Sequence, residues 1–490
     1  MAPRTQPRIA TIVLAAGEGT RMKSERPKVL HEVCGRPSLW HVLRAAQAVR
    51  PSSLAIVVHH GADQIEAAVR SWGIKPEPVF VEQGRPRGTG HAVLAAEAAV
   101  ASADDVLVMA ADDPLVTGEH VREVLNIHRR TKAAATILTT SLDDPSGYAR
   151  VVRDGNRLVA LVGEQQADAD PNTRGIREVS ALVYAFRRDD LYRALPLVGR
   201  DHRKGEYYLF HVLEILREKG ERTSAVWADL GGAMGLNTRA GLAAVVAIIR
   251  DRLVRAHMAN GVSFTDPSTA YLDVDVRIGR DTTVLPMTFL EGTTRIGAGC
   301  TIGPNTRVVD SVIGDEAEVT FSVVRGSRIG ARATVGPYAS LRPGTVLMEE
   351  AKAGSFVEIK ASRVGKGSKV PHLSYVGDAT IGEGVNIGAG TVTVNYDGFR
   401  KYPTTIGDEA HIGSDTMLVA PVKVGKRAWT GAGSVVTREV PEGALAVERS
   451  EQRNVPGYDR RKRAKEAAKA RRSSGAKSVG RGAKGGRSRG

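Results

Sequence analysis

The sequence predicts an α/β domain followed by a parallel β-helix. Between residue 9 and about residue 240, short apolar runs alternate with segments of helical periodicity. Beyond about residue 262, an aliphatic residue followed by Gly recurs at gaps that are often 6, 12 or 18 residues. The aromatic content of 5% suits an interior too narrow for rings.

In the first part, residues 9–16, 54–58, 106–109 and 133–140 read as buried strands. Leu39, Val42, Leu43, Ala46 and Val49 recur at helical spacing between the first two strands. Such a βαβ rhythm gives a mainly parallel sheet covered by helices. Residues 242–257 read as one amphipathic helix, ended by Asn260-Gly261, which connects the two parts. The aliphatic-Gly pairs then begin at Ile278, Ile296, Ile302, Ile313, Ile329, Val335, Val364, Ile381, Ile387, Ile406, Ile412 and Val424. A six-residue period suits one short strand plus a corner, so three repeats make a triangular coil whose aliphatic residues stack inside. A β-sandwich would instead alternate, with turns every 8 to about 12 residues and no Gly of fixed period. From residue 452 onward the repeat is lost. Residues 460–472 suit a solvated helix, and the Gly/Ser/Arg/Lys-rich residues 473–490 are expected to be disordered. The expected divisions are residues 1–240, a linker at 241–262, the β-helix at 263–452 and a basic low-complexity tail at 453–490.

Composition narrows the function. The apolar run at 9–16 is far short of the about 18 residues of a membrane span, and the Gly-rich segment after it is not a cleavage region. Cys34 and Cys300 stand apart, which excludes a disulfide framework or structural zinc and points to a reducing, cytoplasmic compartment. The net charge of +15 would suggest nucleic acid were it evenly spread, but residues 459–490 hold thirteen Lys/Arg against two acids. The body is therefore close to neutral, and its ligand must be read from motifs. The tail is either a solvated extension or a nonspecific polyanion binder.

Leu14-Ala15-Ala16-Gly17-Glu18-Gly19-Thr20-Arg21 follows the first strand. A Gly-rich loop at the carboxyl edge of a parallel sheet exposes backbone N–H groups to an anion, and Arg21 and Lys28 add charge for a triphosphate. A purely structural turn is the competing reading. Residues 106–109 lead into Ala111-Asp112-Asp113-Pro114, which brings a carboxylate to the same edge. Asp112 is a candidate Mg²⁺ ligand if a nucleotide supplies the remaining oxygens, and otherwise a loop-capping Asp. On the repeat region, His372 within Lys369-Val370-Pro371-His372-Leu373-Ser374-Tyr375-Val376-Gly377-Asp378 is a candidate general base, since acyl transfer to an amine needs a group titrating near neutrality. A structural His is the alternative.

Taken with Pro27-Lys28-Val29-Leu30 and Gly88-Thr89-Gly90-His91-Ala92, the Gly-rich loop resembles that of the bacterial bifunctional N-acetylglucosamine-1-phosphate uridyltransferase / glucosamine-1-phosphate acetyltransferases, over roughly residues 9–455. The resemblance implies a Rossmann-like nucleotidyltransferase domain, a left-handed β-helix of hexapeptide repeats, and a homotrimer using UTP, acetyl-CoA, sugar phosphates and Mg²⁺. It assigns Leu14, Ala15, Ala16, Gly17, Lys28, Gln83, Gly88 and Thr89 to the nucleotide. Arg21 would assist phosphate transfer, and Asp112 with Asn237 would hold Mg²⁺. Gly147, Glu164, Ser180 and Asn237 match the sugar phosphate of that site. Arg342, Lys360, Tyr375, Asn386 and Lys401 match the glucosamine-1-phosphate positions. Ala389, Asn395, Tyr396, Ser414, Ala432 and Arg449 match acetyl-CoA, with His372 as base and Asn395 also catalytic. The chain departs from the family at Ala149 and Leu182, each in place of Gly, at Ser180 in place of Asn, and at Arg87 and Ala111. An acetyltransferase with a weakened or sugar-altered first site, or a non-enzymatic scaffold of this layout, are the alternative functions.

Overall fold

The computed structural model describes residues 7–155, 157–199, 205–232 and 235–478. Among them, nine strands between residues 9 and 227 make one sheet. From edge to edge its main path runs Thr223–Trp227, Ala135–Ser141, Glu178–Arg187, Asp105–Ala110, Ile9–Leu14, Ser53–Val58 and Val79–Glu82. The central strand Ile9–Leu14 is parallel to both of its neighbours. Its apolar run, broken only by the buried Thr11, reflects burial on both faces, with Ile12 and Val13 entering separate cores on opposite sides. Glu178–Arg187 runs antiparallel to Asp105–Ala110 and Ala135–Ser141, so the sheet is mixed rather than parallel throughout. Its register breaks between Ser180 and Tyr184, where Leu182 sits at φ +48°.

The connector is longer than its periodicity indicated. It spans Arg239–Ala259, because Thr238 caps it by accepting a 3.0 Å bond from the Gly241 N–H. Val245 and Ile249 join the core of the first domain, whereas Val254 joins that of the β-helix. One helix thus belongs to both. Arg36 pairs with Asp275 at 2.6 Å and the Val274 N–H donates to the Cys34 carbonyl at 3.0 Å, adding further ties.

The second half is a left-handed β-helix with three parallel sheets of 11, 10 and 9 strands. Most strands have two or three residues, since each is one side of a triangular coil. The aliphatic residues stack in register, as in Ile387 on Ile412 and Val364 on Ile381, and line a continuous interior. The following Gly has a steric origin: a Cβ on Gly365 would lie 2.1 Å from the Gly382 carbonyl of the next coil. Gly365→Ala is accordingly expected to cost about 1–3 kcal/mol of stability, as overpacking does. Urea unfolding followed by circular dichroism measures this, and an unshifted midpoint would show that the coil spacing yields. Residues paired across the first sheet lie 17 apart from Lys369 to Asn386 and 18 apart from His411 to Trp429, but 25 apart from Asn386 to His411. The longer coil holds an excursion closed by an antiparallel bridge between Tyr396 and Lys401.

Beyond the last coil, Tyr458–Ser478 is a helix exposed where its side chains are described. The expected solvated helix at 460–472 therefore forms and continues into residues 473–478, which had been assigned to the disordered tail. Residues 479–490 lie outside the described residues. No described helix is long and apolar enough to cross a membrane.

Candidate functional sites

A cleft of about 690 Å³ opens at the carboxyl edge of Ile9–Leu14. The backbone brings its parts together: the Ala15 N–H bonds the Val57 carbonyl at 2.8 Å and the Ala111 N–H bonds that of Leu14 at 3.0 Å. Leu14, Ala15, Ala16, Gly17, Arg21, Lys28, Gln83, Gly88, Thr89, Asp112 and Asn237 all line this one cleft. Gly88 adopts φ +96° and passes so close to Tyr207 that a Cβ would lie 2.6 Å from its carbonyl oxygen. Gln83 is buried, with its amide donating to the Gly88 carbonyl at 3.1 Å. The Thr89 hydroxyl accepts from the Leu209 N–H at 2.9 Å, which ties the second glycine turn to the far wall.

The Lys28 ammonium donates to both the Asp112 carboxylate and the Asn237 side-chain oxygen, the latter at 3.2 Å. Asn237 reaches this point because the Leu236 N–H bonds the Asp112 carbonyl at 3.0 Å. Two hard oxygen donors thus already converge on a single cation. Such a pair fits Mg²⁺, which is bound by one or two protein oxygens together with phosphates and water. Among the described residues no cluster of three or more His, Cys, Asp or Glu competes with this pair. Next to it, burial and the Asp112 charge push the Asp113 carboxyl up to about 8, so it is mainly neutral at pH 7. Burial and the Asp112 and Asp113 charges also raise the Tyr148 phenol, which hydrogen-bonds Asn237.

The sugar positions diverge from expectation. Gly147 and Glu164 meet, the Gly147 N–H donating to a Glu164 oxygen at 2.6 Å, but neither lines the cleft. Ser180 is buried at 3% exposure; its hydroxyl bonds the Tyr184 hydroxyl at 2.9 Å and accepts the Leu182 N–H at 3.4 Å. Leu182 and Tyr184, on the same face of that strand as Ser180, line the cleft, whereas Ser180 itself does not. Glu18, Arg85, Tyr208 and Leu209 also line the cleft and were missed by motif reading. Nothing local distinguishes Tyr208 and Leu209, which reach the cleft only through the fold.

On the β-helix the predicted residues fall into two columns. Arg342, Lys360, Tyr375 and Lys401 belong to the second sheet and its exit. Lys360 lies 3.4 Å from Asp378, and the Asn395 amide donates to Asp378 at 2.5 Å. Arg342 is held by Glu358 at 2.8 Å. Hydrogen bonding between the Lys360 and Lys401 amino groups raises the first and lowers the second, an arrangement that a phosphate dianion would relieve. Asp378, quoted in the motif but given no role, is the group that ties Lys360 to Asn395.

The other column follows the corner after the first sheet. His372 ends the strand Lys369–His372, and its exposed imidazole has no hydrogen-bond partner among the described residues. Asn386 is exposed in the next strand of that sheet. Successive coils then stack the Ala389, Ser414 and Ala432 segments: the Asp415 N–H bonds the Ala389 carbonyl at 2.7 Å and the Gly433 N–H that of Ser414 at 2.8 Å. Arg449 caps the row, donating to the Ala432 carbonyl at 3.1 Å. Asn395 and Tyr396 instead lie with the first column, after Val392–Val394. Each column thus combines residues matched to the two substrates, with Asn386 in the second and Asn395 and Tyr396 in the first.

Comparison with known proteins matches residues 11–181 to the MobA-like NTP transferase domain and residues 403–438 to the hexapeptide repeat of succinyl-transferase. Among curated relatives, the Bifunctional protein GlmU of Streptomyces avermitilis is 46% identical over 94% of this chain and 95% of its own length. That of Syntrophomonas wolfei is 42% identical over 92% and 99%. The protein of the same name from Heliobacterium modesticaldum is 47% identical over 90% and 95%.

Proposed function

The chain belongs to the bifunctional GlmU family, and on that premise we propose that it makes UDP-N-acetylglucosamine in two steps on two sites. The β-helix transfers acetyl from acetyl-CoA to glucosamine-1-phosphate, and the first domain then transfers uridylyl from UTP to the product, releasing pyrophosphate. The observation that carries the reading is the convergence of all eleven nucleotide-, phosphate- and metal-matched residues on one cleft. We assign residues 1–240 to uridylyl transfer, 241–262 to the linker, 263–452 to acetyl transfer and 453–490 to a tail outside both reactions. The two unpaired cysteines suit a cytoplasmic setting.

In the first site the sugar-phosphate oxygen attacks the α-phosphorus of UTP and pyrophosphate leaves. The Gly-rich loop presents N–H groups to the phosphates, while Arg21 and Lys28 offset their charge. Asp112 and Asn237 would hold Mg²⁺, whose charge further stabilises the phosphates. Positioning and charge stabilisation account for most catalysis of this class. In the second site the His372 imidazole takes the proton of the attacking amine as the nitrogen bonds the thioester carbonyl and CoA leaves as the thiol. Arg342, Lys360 and Lys401 hold the acceptor's phosphate, with Tyr375 and Asn386 around the sugar. Ala389, Asn395, Tyr396, Ser414, Ala432 and Arg449 hold acetyl-CoA. Because the coils of a β-helix offer no concavity of their own, the complete site forms between subunits of a homotrimer, one column of a subunit against its neighbour.

Supplying UTP, Mg²⁺ and N-acetylglucosamine-1-phosphate should yield pyrophosphate, and acetyl-CoA with glucosamine-1-phosphate should yield free thiol. An inert first site beside an active second would favour the acetyltransferase with a weakened first domain, and inertness of both would favour the scaffold. Deleting residues 459–490 is expected to leave both rates and the trimer unchanged while weakening salt-sensitive retention on a polyanion such as heparin, since the deleted cations are solvent-exposed where described. Loss of acetyl transfer on truncation would instead place the tail in the donor site.

A further inference from the structure

Two segments supply the oxygen pair of the cleft, and both end on the same guanidinium. Asp112 begins the turn that leads to Leu115, and Asn237 lies on the connection between Thr223–Trp227 and the linker helix, which also contains Leu230. Arg252, four turns into that helix, donates to the Leu115 carbonyl at 2.8 Å through one nitrogen and to the Leu230 carbonyl at 3.2 Å through another. Both carbonyls belong to wholly buried residues. The guanidinium also faces the Asp113 and Asp229 carboxyls. Only the Leu236 N–H bond to the Asp112 carbonyl otherwise joins the two segments directly among the backbone bonds described.

We propose that Arg252 is a positioning residue for uridylyl transfer, locking the Asp112 turn and the Asn237 connection in register so that their oxygens meet at one point. Arginine suits the task because its planar fork spans two carbonyls on separate segments, whereas a lysine ammonium makes point contacts. A group that orients ligands from behind typically changes metal affinity 10- to about 100-fold when removed. Arg252 lies on the helix shared by both halves, so the metal-ligand geometry is set by the element that also carries the β-helix. This inference rests on the reading that Asp112 and Asn237 hold the divalent cation.

The test compares full-length wild type, Arg252→Met, Arg252→Lys and Asp112→Asn. Mn²⁺ binding in the presence of UTP is read by electron paramagnetic resonance, alongside the Mg²⁺ dependence of pyrophosphate release and acetyl transfer as a check on folding. The expected result for Arg252→Met is Mn²⁺ affinity and half-saturating Mg²⁺ both worsened about tenfold, with acetyl transfer retained. Arg252→Lys should recover part of the affinity, and it serves in place of the Met variant if that one does not fold. Wild-type Mn²⁺ affinity in Arg252→Met, or a lower maximal rate with unaltered Mg²⁺ dependence, would overturn the proposal while leaving the oxygen pair intact. Unchanged Mn²⁺ binding in Asp112→Asn would remove the pair itself, and the role of Arg252 with it.

Discussion

His372→Ala is expected to lower acetyl transfer by at least about 10²-fold, the usual contribution of a positioned general base, while pyrophosphate release from UTP stays at the wild-type rate. The attacking amine must lose a proton as its nitrogen acquires the acyl group, and a neutral imidazole nitrogen can accept it. His372 is exposed at the end of its strand, with no hydrogen-bond partner for its ring among the described residues, so truncation leaves no buried group unpaired and no cavity. The loss should therefore appear in kcat with an unchanged unfolding midpoint. Acetylation at the wild-type rate in His372→Ala would show that the amine loses its proton to solvent or to another group.

Asp112→Asn is expected to have an effect of similar size on the other reaction, lowering uridylyl transfer by on the order of 10²- to 10³-fold, as when one preorganised electrostatic group is removed. The substitution keeps the shape and one oxygen but takes away the charge that faces Lys28. It acts twice. The oxygen pair loses most of its hold on a divalent cation, and Lys28 loses the anion that restrains its ammonium beside Asn237. Asp113 cannot substitute, since it is buried, held mainly neutral, and absent from the cleft lining. Its carboxyl should become easier to ionise in the variant, because the neighbouring charge that helps to raise it is gone. Acetyl transfer is the internal control. Pyrophosphate release above half the wild-type rate at millimolar Mg²⁺ would exclude Asp112 from the mechanism.

The fold was legible where one period ruled. The aliphatic-Gly repeat fixed the β-helix because each member faces the same packing problem, and the close approach of Gly365 to Gly382 states that problem in atoms. The Gly-rich loop and Asp112 were legible because they lie at the ends of apolar strands whose edge position follows from the βαβ rhythm. The local backbone near the cleft was less legible: the register of Glu178–Arg187 breaks between Ser180 and Tyr184, and no spacing in Ser180-Ala181-Leu182 announces a left-handed Leu182. Arg252 was invisible as well: it is one of several arginines on a helix, and its two carbonyl partners lie 137 and 22 residues away. The helical start at residues 460–472 was read correctly, but its end was not, since the helix continues through Gly475 to Ser478.

The stacked coils have a metric consequence. Adjacent strands of a sheet lie about 4.8 Å apart, so the positions of Lys369, Asn386, His411 and Trp429 along the axis are graduations on a rule rather than the outcome of loop conformations. The reach between His372 and the coil beside Arg449 is then a whole number of steps. Evolution can lengthen that reach only by whole coils, each of which would carry every later graduation forward by the same increment. Variation finer than one step has to come from an excursion that leaves the rule, as the long coil bearing Tyr396 and Lys401 does.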